Sequence, residues 1–321
     1  MPLEPSLLAM LANYSSIMES CVSKDLARHN LTGINLKINE PRALDGELIQ
    51  RFGQHGEDGE IIEGQAIPVN TTLHATDGFK LMSIGTNINH LSEDEVDINI
   101  DIALPKLLSK TIKSADQCIE FLVGERTVFA TYFSNNNHLI AVHANLIMEK
   151  YPDCVDVLNK QGNISEQVRH LPALDRGLKH VCSLRGKAKG EYCHIPICHE
   201  THPPCVLVRK SRGEVVAYWW DTAEEISKYL ERCRGTTMLE VFNDTIHSTE
   251  GMFTFDPKFV KPIAEVYKKF SYAEARTSEP YEKRGFLTLN GENDGDYVRL
   301  IIAPAVSVTN LQGAEIRHVT L

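Results

Sequence analysis

Residues 71–81 constrain the fold of this chain more than any other segment of its sequence. They read Thr-Thr-Leu-His-Ala-Thr-Asp-Gly-Phe-Lys-Leu, in which two runs typical of β-strands flank the pair Asp77-Gly78. Asp-Gly between apolar runs is a strong signal for a β-hairpin, because glycine readily takes the positive φ that a tight turn requires. The segment therefore predicts two antiparallel strands joined at Asp77-Gly78.

Length and composition indicate a globular protein of two domains. A chain of 321 residues with 42% hydrophobic and 24% charged residues is ordinary for such a protein. No run approaches the roughly 18 apolar residues of a transmembrane helix, and no basic region typical of a signal peptide opens the sequence. The eight cysteines are scattered, so we expect reduced thiols in a cytoplasm.

The charges are unevenly distributed. The net charge is −10, yet three segments with helical spacing of apolar residues, 103–114, 169–189 and 256–270, are each net positive. Net charge governs solubility and steering, whereas binding depends on where the charges lie. The pattern predicts an acidic body with basic helices that accept DNA along one surface.

The order of predicted elements repeats once along the chain. Helical periodicity over 4–22 and 103–114 is followed, in the second half, by the same periodicity over 171–184 and 256–270. The predicted strands are 31–38, the hairpin 71–84, 96–102, 118–123, 127–133 and 138–144, and then 192–198, 205–210, 214–220, 237–243, 285–289 and 297–303. This layout is α+β, with a period of about 150–160 residues.

Three segments carry a resemblance to a known family. Residues 75–81 resemble the Ala-Thr-Asp-Gly-x-(Arg/Lys)-Leu signature of the bacterial sliding clamp, the β subunit of DNA polymerase III. Residues 151–158 are similar to its Phe/Tyr-Pro-Asp-Tyr-x-x-Val-Leu element, with Cys154 in place of the second aromatic, and 295–304 to its closing strand. The resemblance implies an α+β fold of DNA-clamp-like domains, each with paired helices packed on antiparallel sheets.

The resemblance also implies a domain organisation. Residues 1–160 correspond to the middle clamp domain and 161–310 to the last one, while 311–321 form a C-terminal tail. The first clamp domain has no counterpart in this sequence. Because rings in this family contain six similar domains, two per chain imply a homotrimer.

In the family, the three matching elements line a pocket that receives short apolar peptides from DNA polymerase, the clamp loader and other partners. Carried onto this sequence, the implied pocket comprises Thr76, Gly78, Phe79, Lys80, Leu81, Pro152, Val157, Ile301 and Ala303. An apolar cleft with a few polar groups suits peptide capture. The alternative is that Leu81, Val157 and Ile301 are ordinary strand core, and the sequence leaves both interpretations open.

Basic side chains on the predicted helices are candidates to face DNA. Lysine and arginine give a salt-screened attraction to phosphates that does not depend on base sequence. The candidates are Lys106, Lys110, Lys113, Arg176, Lys179, Arg185, Lys187, Lys189, Lys258, Lys261, Lys268 and Lys269. The alternative is that these are solvated helix faces without a partner.

A cluster of cysteine and histidine is the strongest competing signal. Residues 193–205 contain enough sulfur and nitrogen ligands for zinc, and the candidates are Cys193, Cys198, His199, His202 and Cys205. The spacing lacks a close C-x2-C pair, and the segment alternates like a strand. We therefore expect no metal here, with a zinc site as the alternative.

No motif for catalysis or for a cofactor is present in the sequence, which has neither a phosphate-binding loop nor a nucleophile elbow nor a dinucleotide fingerprint. We therefore expect a non-enzymatic sliding clamp without a cofactor, acting on duplex DNA in the cytoplasm of a bacterium or of a phage-infected host. The alternatives are a clamp-fold adaptor or decoy from a phage or mobile element that does not load on DNA, and a zinc-binding protein.

Overall fold

The computed structural model describes residues 1–39, 69–154, 157–158, 167–168, 193–196, 205–209, 215–221, 252–255, 260–270, 272–277, 287–293, 295–303 and 315–320. The chain divides into two compact units. The first contains Met1–Lys160 and Glu292–Leu300, and the second contains Gln161–Gly291 and Ile301–Leu321. No helix among the described residues is long and apolar enough to cross a membrane.

The first unit is a mixture of helices and antiparallel strands. In chain order it contains β1 (Pro2–Leu3), α1 (Ser6–Glu19), a first 3-10 helix (Leu26–Leu31), β2 (Gly33–Ile38), β3 (Thr71–Thr76), β4 (Lys80–Thr86), β5 (Val96–Asp101), α2 (Ala103–Thr111), a second 3-10 helix (Ala115–Gln117), β6 (Cys118–Val123), β7 (Thr127–Phe133) and β8 (Leu139–Asn145).

The predicted hairpin forms the centre of one sheet. Strands β5, β2, β3 and β4 lie side by side in this order and are antiparallel. Alternation sends Leu36, Leu73 and Ile84 to one face, where all three are fully buried. The sequence prediction of strands around Asp77-Gly78 is confirmed, because Thr76 is paired with Leu81 across the turn.

The two helices of this unit pack against each other, and α1 also contacts β3 and β6, one strand from each sheet. Helix α1 is apolar around most of its surface, and Leu7, Leu8 and Leu11 are among its buried residues. Each leucine that is fully removed from water contributes roughly 1.5–3 kcal/mol to folding. The helix pair therefore holds the two sheets of the first unit around one core.

Helix α2 is shorter than the periodicity of 103–114 predicts. It ends at Thr111, because Ile112 is extended at φ −113° and ψ 136° and Ser114 begins a capping box with Gln117. The Gln117 side chain accepts the backbone N–H of Lys113 at 2.7 Å. Lys113 therefore lies in the connection that follows the helix, not on the helix as predicted.

The second sheet of the first unit has the order β1-β6-β7-β8. The strand predictions 118–123 and 127–133 are confirmed, and the third strand begins one residue later than predicted, at Leu139. Strand β8 pairs with β7 along its whole length, from Leu139 to Asn145. Among the described residues β8 has no second neighbour in this sheet, so it is an edge strand.

The second unit contains β9 (Gln167–Val168), β10 (Cys193–Pro196), β11 (Cys205–Arg209), β12 (Val215–Asp221), β13 (Met252–Phe255), α3 (Val260–Lys269), β14 (Tyr272–Thr277), β15 (Leu287–Asn293), β16 (Asp296–Ile302) and β17 (Glu315–Thr320), of which β15 and β16 contribute 292–300 to the first unit. Five of these strands form a sheet in the order β13-β10-β11-β12-β17. All its pairings are antiparallel except β12 with β17.

Several elements predicted for the second half differ from those in the structure or lie outside the described residues. The helix predicted over 256–270 is described from Val260 to Lys269. Residues 315–320, within the predicted tail, form strand β17. The predicted helix over 171–184 and the predicted strand over 237–243 lie outside the described residues.

Candidate functional site

The hairpin turn is wider than the Asp-Gly pair alone. Four residues, 77–80, separate the paired Thr76 and Leu81. The Thr76 hydroxyl donates to the Lys80 carbonyl at 2.7 Å and accepts the Gly78 N–H at 3.1 Å. Gly78 has a φ of 89°, a value that glycine adopts without strain. The Thr-Asp-Gly sequence is therefore explained locally, because each residue supplies a bond or a backbone angle to the turn.

Asp77 organises the rest of the turn. One carboxylate oxygen accepts the N–H groups of Phe79 and Lys80 at 3.0 and 3.1 Å. The other oxygen pairs with the Lys80 ammonium, whose side chain is almost fully buried. A buried ammonium is costly without an opposite charge nearby. Lys80 therefore acts as an internal part of the hairpin.

A segment that sequence reasoning did not assign to the site holds the turn from outside. Arg28, in the first 3-10 helix, donates to the Asp77 carbonyl at 3.0 Å. Its guanidinium also lies 5.7 Å from the centre of the Phe79 ring, which is 51% exposed. Cation and ring attract each other at such distances. No periodic signal marks this contact, since it joins residues about fifty positions apart.

The same 3-10 helix also contacts residues 149 and 150, which directly precede the second element of the implied pocket. His29 Nδ1 and a carboxylate oxygen of Glu149 lie 3.0 Å apart, and Asn30 donates to the Lys150 carbonyl at 3.2 Å. The hydrogen bond to His29 holds the pKa of Glu149 below its usual value. The hairpin and residues 149–150 are thus fixed to one short helix.

The third element is joined to the second within the first unit. Arg299 of β16 is buried and donates to the Leu158 carbonyl at 2.9 Å. Strand β16 is also the neighbour of β4 in the sheet order. The structure therefore brings together the hairpin, the segment ending at Leu158 and the first part of β16.

The residues of the implied pocket differ in exposure. Phe79, Pro152 and Val157 are exposed, whereas Thr76, Lys80, Leu81 and Ile301 are buried. Burial of Leu81 and Ile301 is what the strand-core alternative predicts for them. Ile301 and Ala303 fall in the second unit. In the first unit, the side chains that a partner can reach are those of Phe79, Pro152 and Val157.

The lysines of the first helix pair have different surroundings. Lys106 makes an ion pair with Glu19 of α1 at 2.9 Å. Lys110 and Lys113 are exposed and form no ion pair with any described residue. The acidic partner of Lys106 lowers the positive charge of the face that the sequence predicts to meet DNA. Of these three predicted DNA-facing lysines, Lys110 and Lys113 therefore remain available to an anion.

The basic residues of the second unit are only partly described. Lys268 is exposed, while Lys269 is half-buried, and this burial lowers the pKa of its ammonium. Lys261 lies on α3, but its side chain is not among those described. The candidates Arg176, Lys179, Arg185, Lys187, Lys189 and Lys258 lie outside the described residues.

The cysteine–histidine segment is described only in its strands. Cys193 begins β10 and Cys205 begins β11, and these strands are antiparallel neighbours. The remaining candidates, Cys198, His199 and His202, lie outside the described residues. Within the part that is described, no cluster of three or more metal-binding side chains occurs. The zinc alternative is therefore left as a prediction.

Comparison with known proteins identifies the fold through structure. No protein-family model and no curated protein matches the sequence. The β chain of DNA polymerase III from Streptococcus pneumoniae matches at a TM-score of 0.60 and 13% identity, over 96% of this chain and 64% of that one. The sliding clamp of Bacillus subtilis matches with the same TM-score, identity and coverage. The β subunit from Thermotoga maritima matches at a TM-score of 0.56 and 14% identity.

The extent of these matches defines what is shared. This chain spans about two thirds of the length of those proteins, 64% for the clamp from B. subtilis and 65% for that from T. maritima. That share corresponds to two of the three clamp domains. The paired helices and antiparallel sheets of the first unit agree with the fold that the sequence resemblance implies. The chain therefore has the fold of the bacterial DNA polymerase III β sliding clamps.

Proposed function

We propose that this chain is a sliding clamp, a non-enzymatic processivity factor that encircles duplex DNA as a ring and needs no cofactor. The observation that carries the proposal is the match of 96% of the chain to the clamp fold. Exposed Lys110 and Lys113 beside the helix pair support a contact with phosphates that is independent of base sequence. A bacterial cytoplasm, or that of a phage-infected host, is the proposed location.

The proposed ring is a homotrimer. Two clamp domains per chain, at 1–160 and 161–310, give the six domains of a ring when three chains join. Strand β8 supports an interface at its free edge, because its seven residues contain no charged residue and no proline. Natural edge strands usually carry such residues to prevent pairing with another chain. The edge of β8 is therefore suited to pair with a strand of a second copy.

We expect the protein in solution to have three times the mass of the chain, measured by light scattering or mass photometry. Replacing Ala141 and His143 of β8 by lysine should shift it to a monomer, because charges on an edge strand oppose pairing. The matched control is Ile119→Lys on β6, an exposed apolar residue away from this edge. A monomeric native protein, or a trimer unaffected by the β8 change, contradicts the proposed ring.

The proposed partners are the replicative polymerase and the clamp loader, each bound through a short apolar peptide. Exposed Phe79 and Val157 are the proposed contacts, and the buried Thr76, Lys80 and Leu81 support them. A few large side chains often contribute most of the binding energy of an interface. The hairpin would then present one such side chain, the Phe79 ring, with Arg28 behind it.

Phe79→Ala together with Val157→Asp should weaken binding of a labelled peptide containing adjacent leucine and phenylalanine by about tenfold or more. Both side chains are exposed, so the fold should be unchanged. Fluorescence anisotropy measures the binding, and Phe129→Ala, another exposed phenylalanine of the first unit, is the control. Equal affinity of the double variant and the control contradicts the proposed pocket.

Retention on circular DNA distinguishes the proposed sliding clamp from a clamp-fold adaptor or decoy that does not load on DNA. A loaded ring stays on circular DNA and slides off after the circle is cut, whereas an adaptor shows no such difference. A trimer that is never retained on circular DNA would support the adaptor.

A further inference from the structure

A row of buried polar side chains crosses the hairpin sheet at right angles to its strands. Asn99 of β5 is paired with Asn35 of β2, and Asn35 is paired with His74 of β3. His74 is in turn paired with Ser83 of β4. Directly paired residues point to the same face of a sheet. These four residues, which we call the polar row, are all buried on one face.

Each member of the polar row has a polar atom without a hydrogen-bond partner among the described residues. These atoms are Asn35 Oδ1, Asn99 Oδ1, His74 Nδ1 and Ser83 Oγ. All four atoms have almost no surface accessible to water in this arrangement. A buried polar atom that loses its bond to water and gains none in the protein destabilises the arrangement that buries it.

Hydrogen bonds of the other polar atoms in the row fix the orientation of its side chains. The Asn35 amide nitrogen donates to the Asp97 carboxylate at 2.6 Å, and that of Asn99 donates to the Asn30 carbonyl at 2.8 Å. His74 Nε2 lies 3.1 Å from the Thr72 hydroxyl. Turning either amide over would lose these donors. The missing bonds are therefore a property of the arrangement.

Residues 146–154, which we call the cover segment, lie over this face. The Ile147 N–H donates to the Asn99 carbonyl at 2.8 Å, at the β5 end of the row. Burial is the main cause of the low pKa of His74 and of the high pKa of Cys154, and smaller effects of Asp153 on His74 and of Lys37 on Cys154 show that the cover segment lies close to these strands. Ile147, Tyr151 and Cys154 are the buried side chains of the segment. Largely apolar groups therefore cover a polar surface.

The cover segment is loosely seated over part of the row. A cavity of about 280 Å³ separates its residues 146–151 from Asn35, Asp97 and Asn99 on the strands beneath. The Tyr151 hydroxyl lies near the Thr76 backbone but makes no hydrogen bond of normal geometry. Its outer contacts, from His29 to Glu149 and from Asn30 to Lys150, are exposed to water.

We propose that the cover segment lifts from the sheet as a local unit while the strands beneath it stay folded, which lets water reach the polar row. In the open state four buried polar atoms become hydrated, which favours opening. The hydrogen bonds and the apolar contacts of the cover segment are lost, which opposes opening. The segment carries Pro152 of the proposed peptide pocket, so lifting would reshape that pocket. The opening itself does not rest on the clamp function.

Cys154 reports the opening directly, because its thiol is buried while the cover is closed. The full chain is treated with N-ethylmaleimide, and mass spectrometry of peptides gives the rate at Cys154, with partly exposed Cys118 as the reference. We expect labelling of Cys154 at least about tenfold faster than global unfolding permits, with a rate that does not respond to low urea. A rate equal to global unfolding, rising with urea, overturns the proposal.

Two variants test whether the unpaired atoms of the polar row cause the cover segment to open. Thr72→Val with His74→Leu removes both partners of one polar pair and should slow labelling of Cys154 by about tenfold, because the closed cover then buries fewer unpaired atoms. Ile84→Val, on the opposite face of β4, lowers global stability and should leave the Cys154 rate unchanged. An unchanged rate in the double variant, or a raised one in Ile84→Val, overturns the proposal. Should the double variant not fold, the urea response and Ile84→Val still decide.

Discussion

Replacing Lys110 and Lys113 by glutamate should weaken binding of the protein to duplex DNA by about a hundredfold at low salt. Both lysines are exposed, and neither forms an ion pair with a described residue. Each subunit of a trimer would lose two phosphate contacts, and each lost contact lowers the salt slope of the affinity by about 0.9. Fluorescence anisotropy with a labelled duplex over a series of salt concentrations measures both quantities.

Lys106 is left unchanged in this experiment because its ion pair with Glu19 complicates any substitution. The control replaces Lys24 and Lys150 by glutamate, two exposed lysines of the first unit outside the helix pair. The net charge changes by the same amount in both variants. A control that weakens DNA binding as much as the Lys110 and Lys113 variant shows a general charge effect and contradicts the proposed inner surface.

The parts of the fold that sequence predicts are those fixed by neighbours along the chain. Alternation of side chains marks the bounds of β7, and the Thr-Asp-Gly sequence sets the turn, since its bonds join Thr76, Asp77 and Lys80. Helix α2 shows where such reasoning ends. Apolar spacing continues to Ile112, yet a capping box two residues later begins a new element and stops the helix at Thr111.

The parts that sequence does not predict depend on contacts between distant residues. Nothing near Arg28 indicates that it bonds to the Asp77 carbonyl and lies against Phe79. The polar row shows the same limit more strongly. Asn35 and Asn99 each look like an ordinary polar position of an alternating strand, and only the register of the sheet shows that they are opposite each other and buried.

Lowering the pH from 6.5 to 5 should reduce the free energy of unfolding by about 1.6 kcal/mol because of His74 alone. The pKa of His74 is lowered from 6.5 to about 3, mainly by burial and to a smaller extent by the nearby charge of Lys37, while Asp153 of the cover segment opposes the shift. Above pH 6.5, His74 is neutral in both the folded and the unfolded chain. Below that pH, the unfolded chain takes up a proton that the folded chain accepts only near pH 3, so stability falls.

His74→Gln isolates this contribution, because glutamine keeps a polar side chain at the position but does not titrate. Urea unfolding at several pH values should show a contribution from His74 that the variant lacks, with a slope that approaches about 1.4 kcal/mol per pH unit below about pH 5.5. His90, whose pKa burial also lowers, is retained and contributes equally to both proteins. His138→Gln, at an exposed histidine of the turn before β8, is the control and should keep the slope. If His74→Gln also keeps it, the imidazole takes up its proton without leaving the sheet, and neutral burial beneath the cover segment is wrong.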